Sequence, residues 1–262
     1  MDTPTLLIDT DSRGVTTVIL NRPEKHNAYD DRMVTQISTC FRQLAKDDQV
    51  KAVVLAANGE NFSAGADLVW MQRIMNYSFD ENQRDANALA VMLSSINMLP
   101  KPVIAKVQGQ VMGGGVGLIS CCDVAICSAE AEFSLPEVKL GLIPSTISPY
   151  IIAAIGARAS RRYFLTAEKF SSQKAKELGL ISEVVRAEAL DDTVEHFIGL
   201  FLNNAPNAMN AAKKLVFDLA NKTIDKDVMS DTSQRIARTR ISSEGQEGLQ
   251  AFLEKRPPDW SE

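Results

Sequence analysis

Five short runs rich in β-formers, TLLID (5–9), VTTVIL (15–20), AVVLAA (52–57), PVIAKV (102–107) and DVAICS (123–128), alternate with helical patterns through the first 130 residues. That alternation puts the chain in the α/β class. The clearest early helix covers AYDDRMVTQISTCFRQLAKDD (28–48), where Met33, Ile37, Cys40, Phe41 and Leu44 recur at helical spacing and mark a core face. Beyond about residue 190 the pattern changes. ALDDTVEHFIGLFLNN (189–204), PNAMNAAKKLVFDLAN (206–221) and SEGQEGLQAFLEKR (243–256) all read as helices with no strand between them. Such a tail suits packing on a partner subunit better than extending a sheet.

Composition narrows the chemistry. The 262 residues are 45% hydrophobic, enough for a sizeable core in one large domain or two small ones. The 33 acids against 28 bases leave a net charge of −5, which gives no sequence-wide basic field to hold nucleic acid. Apolar stretches such as PYIIAAIGA (149–157) fall far short of the ~20 residues that span a bilayer. The acidic start lacks an apolar signal region, so a soluble, unprocessed, cytoplasmic chain is expected. Cys40, Cys121, Cys122 and Cys127 form no C-x-x-C and read as reduced core residues. With only His26 and His196, and with NFSAG (61–65) as the nearest string to G-x-S-x-G, neither a histidine-based triad nor a metal site is expected. No cofactor is expected either. Chemistry should rest on carboxylates and backbone.

Two glycine-bearing turns stand where backbone chemistry is possible. QGQVMGGGVGLISCCD (108–123) holds Gly113, Gly114 and Gly115 in a row and Gly117 two places on. A dinucleotide fingerprint fails because Leu118 occupies the position of its last glycine, and no G-x-x-x-x-G-K-[ST] occurs. A turn with no chemistry remains one reading. The other starts from the second segment, AVVLAANGENFSAGADLVWMQ (52–72), in which Ser63, Ala64, Gly65 and Ala66 lead from a strand into a helix opened by Asp67. Two such strand-to-helix turns with bare backbone, if they converge, make an oxyanion hole.

Taken in order, NRPEKHNAYDD (21–31), ENFSAGADL (60–68), KPVIAKVQGQVMGGGVGL (101–118), CCDVAICSAEAEFSLPEVKLGLIPS (121–145) and AFLEKRPP (251–258) resemble the enoyl-CoA hydratase/isomerase (crotonase) family along essentially the whole chain. The stretch LGLIPSTISPYIIAAIGARASRRYFLTAEKF (140–170) is most similar to hydratases of methylglutaconyl-CoA and isohexenylglutaconyl-CoA. The resemblance implies a crotonase-type ββα spiral core over residues 1–200, which binds and turns over acyl-CoA, and a helical region over 201–262 that builds a homotrimer, paired or not into a hexamer. It implies hydration of an α,β-unsaturated acyl-CoA thioester, with coenzyme A as part of the substrate. The alternatives are a Δ3,Δ2-enoyl-CoA isomerase with a single glutamate and a non-catalytic acyl-CoA-binding protein.

Carried over by position, the resemblance makes Ala66 and Gly114 the backbone donors to the thioester oxygen and Glu137, presented by Pro136, the acid/base. The family's hydratases usually carry a second glutamate, and its position here is Gly117. The missing side chain is expected to leave room for substrate bulk, with Ser145 helping to hold water; Thr146 beside it is a second hydroxyl. Lys25 and His26 fall on the CoA-binding loop, with Ala28, Ala64, Asp67 and Leu68 in the same motifs. Trp70 and Met71, followed by Ile74 and Met75, either line an acyl pocket or are simple core. Phe252 and Lys255 lie in the C-terminal motif that contributes to a CoA site in relatives. Arg73, Lys139, Arg161 and Arg162 are candidates to meet a distal substrate carboxylate.

Overall fold

In a computed structural model, which describes residues 4–261, the chain starts with the strands β1 (Leu6–Thr10) and β2 (Val15–Leu20) and the helix α1 (Asp31–Leu44). There follow β3 (Ala52–Ala57), α2 (Leu68–Ile74), α3 (Phe79–Asn97), β4 (Val103–Val107), β5 (Gln110–Met112), α4 (Gly114–Ser120), β6 (Val124–Ser128) and β7 (Glu132–Ser134). The remainder is α5 (Ser148–Thr166), β8 (Phe170–Ser171), α6 (Ser172–Leu178), β9 (Glu183–Val185), α7 (Leu190–Leu202), α8 (Pro206–Leu219), α9 (Lys226–Ile241) and α10 (Ser243–Glu254). All five strand runs read from sequence are strands, and among the described residues no strand follows β9.

A six-stranded sheet has the order β1-β2-β3-β4-β6-β9, antiparallel only between β1 and β2. Its central strands are apolar on both faces because both are covered. Val53 and Leu55 of β3, with Val103, Ala105 and Val107 of β4, join the main core with α1, α3 and α4. Val54, Ala56, Ile104 and Ile126 face the other way, onto Leu190, Val194 and Ile198 of α7. Alternate side chains of a strand point to opposite faces, which sorts these residues into two cores. α7 runs to Leu202, so the part of the chain packed on the sheet ends just past residue 200.

A second, three-stranded sheet, β5-β7-β8, sits where β4 hands over to the triple glycine, and pairing of β5 with β7 lays Met112 beside Ser134. The last three helices differ in character from the rest. α8 and α9 bury no residue, and α10 buries only Ala251. Among the described residues, no helix is long and apolar enough to cross a membrane.

Candidate active site

The loop after β3 is held between two other segments. On one side Ser63 bridges Val111, with Met112 N–H donating to Ser63 O at 2.9 Å and Phe62 N–H to Gln108 O at 2.9 Å. On the other side Ala64 N–H donates to His26 O, Tyr29 N–H to Gly65 O at 2.9 Å, and Asp67 N–H to Tyr29 O at 3.0 Å. Tyr29 thus brackets Ala66 in a parallel bridge. In such a bridge the bracketed residue's own N–H points away from its partner. No protein group among the described residues accepts from the Ala66 N–H. Gly65 takes φ of +85°, and a Cβ there would stand 2.9 Å from Met112 O and 3.6 Å from Gly114 N. The two glycine turns therefore converge.

Each glycine of the triplet is needed for a separate reason. Gly113 has φ of +50° and caps α4 with Ser134 O accepting its N–H; a Cβ there would lie 2.8 Å from Glu137 Oε1. A Cβ on Gly114 would fall 1.4 Å from the Tyr29 hydroxyl oxygen, and one on Gly115 would fall 2.9 Å from Ser63 O. Gly114 opens α4, so its N–H has no intrahelical partner, and no other protein group among the described residues accepts from it. Two free N–H groups thus lie on adjoining turns, as an oxyanion hole requires.

Glu137 reaches the same place from a third direction. It begins a short 3-10 turn, Glu137–Leu140, immediately after Pro136, and Leu142 N–H donates to its carbonyl. Its Oε2 is buried with no hydrogen-bond partner, and burial pushes the carboxyl above the usual glutamate range. A carboxyl oxygen left unpaired beside two unpaired donors belongs to a group poised to exchange a proton.

These connections accompany a match of the enoyl-CoA hydratase/isomerase family profile to residues 10–262. The chain belongs to the enoyl-CoA hydratase/isomerase family. Its fold is that of an enoyl-CoA hydratase from Shewanella pealeana, at 46% identity and a TM-score of 0.95, covering 98% of this chain and 96% of that one. Among curated relatives, 1,2-epoxyphenylacetyl-CoA isomerase of Escherichia coli is 30% identical over 95% of both chains. Trans-2-decenoyl-[acyl-carrier-protein] isomerase of Streptococcus mutans is 29% identical over 100% of this chain and 99% of its own. This family member is thus similar both to proteins named for hydration and to proteins named for isomerisation.

Several residues expected at the site have other employment. Asp67 is buried and accepts from Arg22 at 2.8 Å, Lys25 at 3.2 Å and the N–H groups of Val69 and Trp70, whose helix it caps. Burial works against its charge, yet these hydrogen bonds hold its carboxyl below the usual range. Asp67 fixes the loop rather than presenting a free acceptor to a ligand. Lys25 and His26 are exposed; Lys25 is tied to Asp67, and His26 Nδ1 lies 2.9 Å from Asn61 Nδ2. Ala28 is buried and its carbonyl accepts from Arg22, while Ala64 is half-buried on the loop itself. Trp70 is core, packed on Tyr29 and donating to Asp85 at 3.0 Å. Met71 and Ile74 are half-buried, whereas Leu68 and Met75 are exposed on α2. Phe252 and Lys255 are exposed at the end of α10, which packs on α8 and α9. Arg73 is paired with Asp31 and Arg162 with Glu168.

Ser145 is exposed, and the buried Glu137 Oε2 has no partner. One expectation needs correction: Gly117 does not open a space for substrate. A Cβ there would meet Ile147 Cγ2 at 2.3 Å and Ile147 Cβ at 2.8 Å, with Leu93 at 3.7 Å, so hydrocarbon already fills the position. Sequence reasoning missed Ile147, which is an ordinary apolar residue distant along the chain, and Tyr29, which it read only as part of the first helix and of the NRPEKHNAYDD motif. Gly117→Glu is therefore expected to lower the melting temperature, by overpacking of about 1–3 kcal/mol, instead of creating a working second carboxylate. Adding Ile147→Ala should recover part of that loss. An undiminished melting temperature for Gly117→Glu alone would show that Ile147 yields freely.

Proposed function

We propose that this protein hydrates an α,β-unsaturated acyl-CoA thioester, with a branched 3-methylglutaconyl-type acyl group as the preferred substrate. The observation that carries the reading is the buried, unpartnered Glu137 oxygen at the glycine turn whose Gly114 N–H is free. In this mechanism the N–H groups of Ala66 and Gly114 bind the thioester oxygen and stabilise the enolate as charge builds there. Glu137 takes a proton from water while the water oxygen bonds to Cβ, then returns that proton to Cα as the enolate collapses. One carboxylate suffices because it regains its starting state at the end of each turnover. The branched acyl group rests on the stretch 140–170, the part of the chain most similar to hydratases of glutaconyl-type thioesters.

The CoA moiety is assigned to the exposed rim at Lys25 and His26, and to Phe252 and Lys255 from a neighbouring subunit of a homotrimer. Support for a neighbour comes from the apolar side chains that α9 and α10 leave in water, Ile241, Phe252 and Leu253 among them, the latter two 81% and 78% exposed.

A second reading, isomerisation, is favoured by Ile147. With hydrocarbon where a second carboxylate would stand, Glu137 alone could carry a proton from Cα to Cγ. Turnover of 3-methylglutaconyl-CoA, crotonyl-CoA and a 3-enoyl-CoA in ¹⁸O-labelled water, followed by mass spectrometry, separates the two. Hydration places label on Cβ, and the branched substrate should react faster than crotonyl-CoA. Conversion of the 3-enoyl to the 2-enoyl thioester without any labelled product would overturn the hydratase reading in favour of the isomerase.

A further inference from the structure

We infer that the Tyr29 hydroxyl is a third hydrogen-bond donor to the bound thioester oxygen, acting beside the N–H groups of Ala66 and Gly114. The inference rests on the proposed oxyanion site and adds to it a side chain outside the glycine turns. Tyr29 is tied to both turns at once. Its main chain pairs with Gly65 and Asp67, on either side of Ala66, while its hydroxyl oxygen stands against Gly114, 1.4 Å from where a Cβ would be. The ring between these ends is only 2% exposed and packs at 6.1 Å on Trp70, whose indole N–H is itself held by Asp85. Tyr29 therefore has little freedom to aim its hydroxyl elsewhere.

That hydroxyl makes no hydrogen bond to any protein group among the described residues, and it is not bonded to Glu137, whose Oε2 is unpartnered. Among the described residues the buried side-chain polar atoms without a partner are Gln108 Oε1 and Glu137 Oε2, so the unbonded Tyr29 hydroxyl is open to the site rather than sealed in the core. The polar tip fits an acceptor that arrives with the substrate. It is held as a donor: burial first, and the nearby Glu137 carboxylate second, raise the phenol's pKa far above neutrality. Gly114 lends one donor through its N–H and, by lacking a side chain, admits another. A phenol there supplies a hydrogen bond that strengthens as negative charge develops on the oxygen.

The test uses the full-length protein and 4-dimethylaminocinnamoyl-CoA, whose carbonyl stretch reports polarisation of the thioester. Binding to the parent should lower that frequency. Tyr29→Phe should show a smaller shift, and kcat on the hydrated substrate should fall about 10-fold or more with KM within about threefold, since the bond matters most in the transition state. Incorporating 2,3-difluorotyrosine at position 29, a stronger donor of nearly the same shape, should enlarge the shift. A parent-sized shift and unchanged kcat in Tyr29→Phe would overturn the inference while leaving the oxyanion turns standing. No shift in the parent itself would instead remove the oxyanion reading, and the role of Tyr29 with it.

Discussion

Glu137→Gln is expected to lower kcat by about 10³-fold while acyl-CoA affinity stays within several-fold, because the amide keeps the shape but can neither accept nor return a proton. The same substitution should stabilise the fold at neutral pH. Burial raises the Glu137 pKa in the native state above the 4.5 of a free side chain, so the native protein holds that proton more tightly than the unfolded chain does. Its stabilising effect is complete below the unfolded pKa and is lost as pH rises through the native one. Glutamine has no such loss. The melting temperature of Glu137→Gln should therefore gain on the parent across that window. The acid limb of kcat/KM in the parent should fall in the same window, above the ordinary glutamate range. Steady-state kinetics and thermal melts from pH 4 to pH 8 read both, and activity above a tenth of the parent would move the base elsewhere.

Gly114→Ala should be nearly as damaging, with kcat/KM reduced by about 10³-fold and the melting temperature lowered. The added methyl would stand 1.4 Å from the Tyr29 oxygen and 2.5 Å from Cζ, inside a ring that has nowhere to retreat. Either the ring or the turn must shift, and a shift of the turn takes the Gly114 N–H off its target. Combining it with Tyr29→Leu should restore part of the melting temperature, giving a double variant less unstable than the two single losses added together. Turnover should stay low, since the donor geometry was not rebuilt. Parent-level turnover from a folded Gly114→Ala would remove the close approach from the account.

Much of this molecule was legible from sequence because its central strands announce themselves. AVVLAA and PVIAKV are apolar on both faces, and that is what covered parallel strands look like. The small sheet gave no such signal: β5, β7 and β8 are three, three and two residues long, below the length at which alternation can be counted. α9 was invisible for another reason. Its sequence KDVMSDTSQRIARTRI is mostly polar and it buries no residue, so no apolar stripe marks it. At the site, the two glycine turns and Glu137 could be picked out one by one, since each carries a local oddity. What could not be read was who touches them. The contact of Tyr29 with Gly114 joins residues 85 positions apart, and Ile147 meets Gly117 from 30 positions further along the chain. The partners of Asp67 were hidden in the same way, since Arg22 reaches its carboxylate from 45 positions away.

The triplet at 113–115 also bears on how such a site can change over generations. Glu137, Tyr29 and Ser63 each crowd a different one of its members. No single compensating replacement relieves all three, and two of the crowding atoms belong to the proposed machinery itself. A lineage that lost one of these glycines would have to alter a neighbour in the same step, and for Gly113 or Gly114 that neighbour is Glu137 or Tyr29. Drift at the surface of the protein is open in many directions, whereas at this turn the accessible paths are nearly all closed, and new chemistry has to enter from the walls around it.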